Sequence, residues 1–122
     1  VYDRGTSGRA EVALTFDAGA DRGYAEEILD TLKAYGVKAS FGITGRWAEE
    51  NPDLVKRMVR EGHMLFNHTR THRSFTGYST RDWDPGMTET DERLKELEET
   101  AAIIAGLTRG YDVRPYFRPP YG

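Results

Sequence analysis

Short apolar runs of strand length alternate in this chain with stretches whose apolar residues recur every three or four positions, and this alternation limits the possible folds more than any other feature. Residues 10–17 hold Val12, Ala13, Leu14 and Phe16 in a nearly continuous apolar run. This is the pattern of a strand buried on both faces of a parallel sheet. Ala18-Gly19-Ala20 turns the chain. Asp21 then stands where a helix N-cap belongs, and Tyr24, Ile28, Leu29 and Leu32 follow at helical spacing as far as Gly36, a C-terminal stop. The unit repeats with a strand over residues 37–43, a loop at Thr44-Gly45-Arg46-Trp47, and Asn51-Pro52 as N-cap and first-turn proline. The helix that follows carries Leu54, Val55, Met58 and Val59 and stops at Gly62. Residues 63–66 read as a third strand. A polar, serine-, threonine- and glycine-rich stretch over 73–86 leads to a helix beginning near Thr88. That helix has Leu94, Leu97, Ala101, Ile104 and Leu107 on one stripe and a charged face read as solvated surface. A last strand is predicted over 114–117. Strand–helix alternation implies right-handed crossovers and a parallel α/β sheet.

Composition narrows the partners. One domain's worth of chain, 122 residues with a net charge of −3, offers no basic excess to neutralise phosphates, so neither nucleic acid nor an anionic membrane surface is expected. No apolar run approaches the ~20 residues of a membrane span. Cysteine is absent, which removes disulfides and thiolate ligands. The first residue is Val1 rather than methionine, the mark of a trimmed or processed chain, and no targeting segment is visible, so localisation is left unknown.

The chemistry gathers at strand ends, where α/β folds place their sites. Asp17 ends the first strand. His68 and His72 follow the third, four residues apart, and share one side if the backbone there turns helically. Arg118-Pro119-Pro120-Tyr121-Gly122 follows the last. Two imidazoles are metal-ligand types and ask for a third ligand. A carboxylate beside them is either that ligand or a general base acting on metal-bound water, and a neighbouring guanidinium can hold and tune such a base. Metal-assisted hydrolysis is the reaction class implied.

Thr15-Phe16-Asp17, His68-Thr69-Arg70-Thr71-His72 and Arg118-Pro119-Pro120-Tyr121-Gly122 resemble, in order and spacing, the first three motifs of the polysaccharide deacetylases of carbohydrate esterase family 4, the NodB-homology domain. Lys38-Ala39-Ser40-Phe41-Gly42-Ile43-Thr44-Gly45 is similar to the family's second strand, and the likeness runs from about Glu11 onward. The resemblance implies a distorted (β/α) barrel of seven repeats that removes N-acetyl or O-acetyl groups from polymers such as peptidoglycan, chitin and xylan. It also implies a divalent metal, usually zinc, with cobalt or another divalent ion as alternatives. By that resemblance Asp17 is the general base, His68 and His72 are metal ligands, and Arg118 holds Asp17. The backbone N–H of Tyr121 serves the oxyanion, and Pro119 and Tyr121 border the substrate. An envelope or extracellular setting is favoured on the same ground.

Two departures stand out. Where the family's first motif has a second aspartate completing the metal triad, this chain has Ala18. Water completes the shell, or Asp21 swings in as ligand instead of capping its helix, or the metal is weak or missing. The later motifs would lie beyond Gly122, which predicts a domain cut on its C-terminal side, an open strand edge and possible self-association. His63, apart from the pair, reads as structural. Trp47 and Trp83 read as sugar-stacking residues or packing anchors, and Asp82 and Asp84 as turn residues. Besides the deacetylase, two readings stay open: a degenerate glycan binder, and a fragment that assembles with another chain.

Overall fold

The computed structural model describes residues 4–77, 86–87 and 89–122. Three parallel strands, β1 (Thr15–Ala18), β2 (Ser40–Ile43) and β3 (Met64–Asn67), lie side by side in that order. Their register aligns Asp17 with Gly42 and Gly42 with Phe66. The helix α1 (Ala25–Ala34) connects the first pair, and α2 (Gly45–Glu50) with α3 (Pro52–Arg60) connects the second. The long helix α4 (Thr90–Thr108) follows β3. This is the expected strand–helix alternation, and it amounts to part of a (β/α) barrel.

Helix ends follow the residues predicted to make them. Gly36 adopts φ 64°, and the N–H groups of Gly36 and Val37 return to the carbonyls of Lys33 and Leu32. Gly62, at φ 79°, ends α3 in the same way, with His63 donating to Met58. Both are glycine-terminated double closures that satisfy the last carbonyls. Pro52 opens α3 as predicted, although Asn51 caps without its side chain, its Nδ2 donating to the Trp47 carbonyl instead. The core joins Leu29 and Leu32 of α1, Phe41 and Ile43 of β2, Leu54, Val55 and Met58 of α3, Leu65, Ile104 and Val113.

Several expectations are corrected. The first strand starts at Thr15, and Val12 (95% exposed) and Leu14 (46%) are not buried on two faces, because β1 is an edge strand and pairing with β2 begins only at Ser40. The segment 44–47 is not a loop. Thr44 caps a short helix by accepting the Trp47 N–H at 3.2 Å, and Trp47 is buried against the core, which makes it a packing anchor and not a sugar platform. Asp21 caps nothing; α1 starts after Tyr24 with no side-chain cap, and Tyr24 points to solvent. On α4 the inward residues are Thr100 and Ile104. Leu94 is half exposed and, with Leu97 and Ala101, lines a groove against Tyr111, Tyr116 and Phe117. Residues 114–117 form no strand. Pro115 has no N–H to give, and only Phe117 makes a parallel bridge, to Asn67. Trp83, Asp82, Asp84 and the predicted helix start at Thr88 lie outside the described residues.

Candidate active site

The sheet brings the three motif segments together at its carboxyl end. Along β1 the side chains alternate. Phe16 stacks on Phe41 with centroids 5.3 Å apart, while Asp17 faces the other way, over Gly42. Gly42 makes room for that carboxylate: a Cβ there would lie 2.4 Å from Asp17 Oδ1 and 2.7 Å from Phe66 Cε2. Arg118 reaches Asp17 from the C-terminal segment. Its Nη1 donates to Asp17 Oδ1 at 2.8 Å, Nη2 donates to Thr15 Oγ1 at 3.3 Å, and the guanidinium lies 4.9 Å above the Phe66 ring. One carboxylate oxygen is therefore pinned by a charged donor and by cation–π packing. The other, Oδ2, lies 3.9 Å from His68 Nε2.

His68 is buried, and its Nδ1 sits 2.8 Å from the Arg118 carbonyl. A carbonyl oxygen only accepts, so Nδ1 carries a hydrogen, and Nε2 is the ring nitrogen that faces Asp17. A hydrogen bond on the far nitrogen is the usual way an imidazole is set for metal ligation. The ring of His72 meets that of His68 edge to face at 4.9 Å, and Tyr121 packs on His72 at 5.1 Å.

The histidine pair is brought together by a bend and not by a helical turn. The segment between them is a tight bend with Thr69 at φ 67° and His72 at φ 61°, both left-handed and neither a glycine. Thr69 Oγ1 accepts the His72 N–H at 3.2 Å, and the Thr69 carbonyl accepts from Gly45. Asn67, for which the sequence suggested no role, is buried at the crossing point of these segments. Its Oδ1 accepts the Thr69 N–H at 2.9 Å, its Nδ2 donates to the Leu97 carbonyl at 2.8 Å, and its main chain pairs with Tyr116 and Arg118. The sequence signal for it was a lone amide side chain directly after an apolar strand.

Among the described residues the donor set offers a divalent ion two imidazoles and no third protein ligand. Ala18 has no donor atom. Asp21 is exposed: its carbonyl accepts the Trp47 indole N–H at 2.7 Å, and its carboxylate lies beside Gly23. Among the described residues no group of three His, Asp or Glu side chains is arranged to hold a metal. Asp17, His68, His72, Arg118 and Tyr121 are thus drawn together, and Asp21 is not. Pro120 is buried and Pro119 half-buried beside Tyr121, which has φ 63°. His63 stands apart, buried, its Nδ1 accepting the Ala39 N–H at 3.2 Å, in keeping with a structural role.

The part-barrel of parallel strands thus carries a carboxylate, a guanidinium and two imidazoles together at its carboxyl rim. The chain belongs to the polysaccharide deacetylase family, whose profile matches residues 4–122. It is 38% identical over 118 residues to a peptidoglycan-N-acetylglucosamine deacetylase of Bacillus cereus, covering 97% of this chain and 38% of that protein. Among solved structures it is similar to a family 4 carbohydrate esterase from Bacillus anthracis, with TM-score 0.73 and 38% identity over 88% of this chain and 47% of the other. It is also similar to a mutant of a family 4 pseudoenzyme, with TM-score 0.79 and 33% identity over 98% of this chain and 39% of the other. A further mutant of that pseudoenzyme, described as having restored enzymatic activity, matches with TM-score 0.77. The chain spans about two-fifths to half the length of the curated relatives it matches first.

Proposed function

We propose that this protein hydrolyses acetyl groups from an N-acetylated glycan such as peptidoglycan, with an acetyl ester as the alternative bond. The observation that supports this reading is the two-sided setting of Asp17, one oxygen held by Arg118 and the other turned towards His68 Nε2. In that setting Asp17 Oδ2 receives the proton of the attacking water, and Arg118 orients the carboxylate. The Tyr121 N–H donates to the developing oxyanion, and Pro119 with the Tyr121 ring borders the sugar. His68 and His72 would hold a divalent ion, zinc or cobalt, which when bound polarises the acetyl carbonyl. The test is acetate release from an acetylated chitooligosaccharide, measured together with zinc stoichiometry. Near one ion per chain, abolished by His68→Ala/His72→Ala, together with release abolished by Asp17→Asn, supports the reading; release that survives Asp17→Asn overturns it.

A second reading, a glycan binder that does not hydrolyse, is favoured by two observations: Ala18 leaves the metal set one ligand short, and two of the similar structures are mutants of a pseudoenzyme. Under it, the unmodified chain retains glycan without releasing acetate, and Ala18→Asp creates both ion binding and release. Release by the unmodified chain excludes it.

A further inference from the structure

Glu92, Glu96 and Glu99 on α4 are spaced four and three residues apart, which puts them on one helical face. That face looks onto the bend carrying the histidines. Glu92 pairs with Arg73, and Glu99 Oε2 lies 3.5 Å from Arg70 Nε. Glu96 does something different. Its Oε2 accepts the backbone N–H groups of Arg70 and Thr71, each at 2.8 Å, and its Oε1 accepts the Thr71 hydroxyl at 2.9 Å.

The bend's four successive N–H donors can be accounted for in full. Thr69 donates to Asn67 Oδ1, His72 donates to Thr69 Oγ1, and the two in the middle both donate to the Glu96 carboxylate. Consecutive N–H groups converging on one anion form a nest, and their bonds are charge-assisted. The residues flanking that nest, Thr69 and His72, are the two non-glycine residues of the bend held at positive φ. Each such conformation is strained and persists only where its surroundings hold it. Without the carboxylate, Arg70 and Thr71 lose their acceptor and the bend loses the restraint between its two strained residues.

We propose that Glu96 is a positioning residue for the histidine pair: by filling the Arg70–Thr71 nest it sets the backbone that brings the imidazoles of His68 and His72 to 4.9 Å. The importance of that geometry rests on the proposed function, but the experiment does not. It uses amide hydrogen exchange and ring-to-ring nuclear Overhauser contacts in the metal-free chain, for Glu96→Ala, Glu96→Gln and the same-face control Glu99→Ala. In Glu96→Ala the amides of Arg70 and Thr71 are expected to exchange at least about ten-fold faster, the loss of bonds to a charged acceptor. The His68–His72 ring contacts are expected to vanish while β2 and β3 amides keep their protection; Glu99→Ala retains the contacts. Ring contacts that survive in a folded Glu96→Ala, or that disappear equally in Glu99→Ala, overturn the proposal. Should Glu96→Ala fail to fold, Glu96→Gln decides it: faster exchange confined to Arg70 and Thr71 supports the clamp, and unchanged exchange there refutes it. Because neither metal nor substrate is added, the result for Glu96 is the same whether or not the chain ever binds zinc.

Discussion

Gly42→Ala tests whether the sheet is shaped around the Asp17 carboxylate. The added methyl carbon would sit 2.4 Å from Asp17 Oδ1 and 2.7 and 3.0 Å from two carbons of the Phe66 ring. Ordinary contact requires about 3.4 Å or more, so the carboxylate must retreat by about 1 Å and the ring by roughly 0.4–0.7 Å. The ring is buried, and the carboxylate is tied to Arg118 at 2.8 Å, a bond that a retreat of that size lengthens past useful range. Overpacking of this kind costs about 1–3 kcal/mol, or roughly 5–12 °C in melting temperature for a chain of this length. The control is Gly106→Ala on α4, where nothing lies within 4 Å of the new methyl. It removes a helix-interior glycine and is expected to stabilise by about 0.5–1 kcal/mol. Thermal melts of both variants, with acetate release measured below the melting range, give the comparison. A Gly42→Ala protein that melts within a degree of the parent, or retains full release with the Asp17–Arg118 pair intact, would refute the claim that this glycine exists for the carboxylate.

Three further outcomes are expected. Arg118→Met should cost only about 1–2 kcal/mol in a melt, since the ion pair is more than a third exposed and is worth ~0.2–1 kcal/mol with cation–π packing adding ~0.5–1; release should nevertheless fall by roughly 100-fold or more, and equal small losses in both would argue against a role at Asp17. His63 has its pKa lowered from 6.5 by burial and by the nearby Lys38 charge, with Arg57 adding to this and Glu61 opposing it. A depressed folded value means that the stabilisation is complete above about 6.5 and is lost as pH falls through the folded value, so the melting temperature should drop between pH 7.5 and 5.5 and drop less in His63→Gln; parallel curves would sink the assignment. Trp47→Phe deletes the indole donor to the Asp21 carbonyl and part of a buried ring, with an expected loss of about 1–3 kcal/mol; a loss below ~0.5 would show that this bond does not tie the β1–α1 turn to α2.

The order of strands and helices was legible because apolar runs and helical stripes report burial directly. Strand lengths were not, since pairing ends where a partner begins: Val12 and Leu14 look like core in the sequence, yet Leu14 gains from β2 only the Ser40 N–H on its carbonyl and both side chains stay exposed. The helix α2 was hidden by its brevity, its inward side chains being Trp47 and Ala48, too few to show a period. On α4 the predicted stripe holds at Ile104, with Ala101 and Leu107 packed against the core, but Leu94 at its start is half exposed. Thr100 is buried there because its hydroxyl satisfies itself on the Glu96 carbonyl, and no hydropathy pattern announces such a bond. At the site, Asp17, His68, His72 and Arg118 were readable as residue types at strand ends. Asn67 and Glu96 were not, because their work is done on backbone N–H groups, and acids on a helix face look the same in sequence whether they meet water or a loop.

Arg118 touches the site with both of its ends, the guanidinium on Asp17 and the main-chain carbonyl on His68. Acid and imidazole are therefore referenced to one residue instead of to two independent walls. A drift of the C-terminal segment carries both references in the same direction, so displacement is common to the pair and their separation is the quantity least disturbed. Tolerance to drift is highest where the chemistry has least tolerance, and it comes from how the parts are attached without requiring a rigid segment.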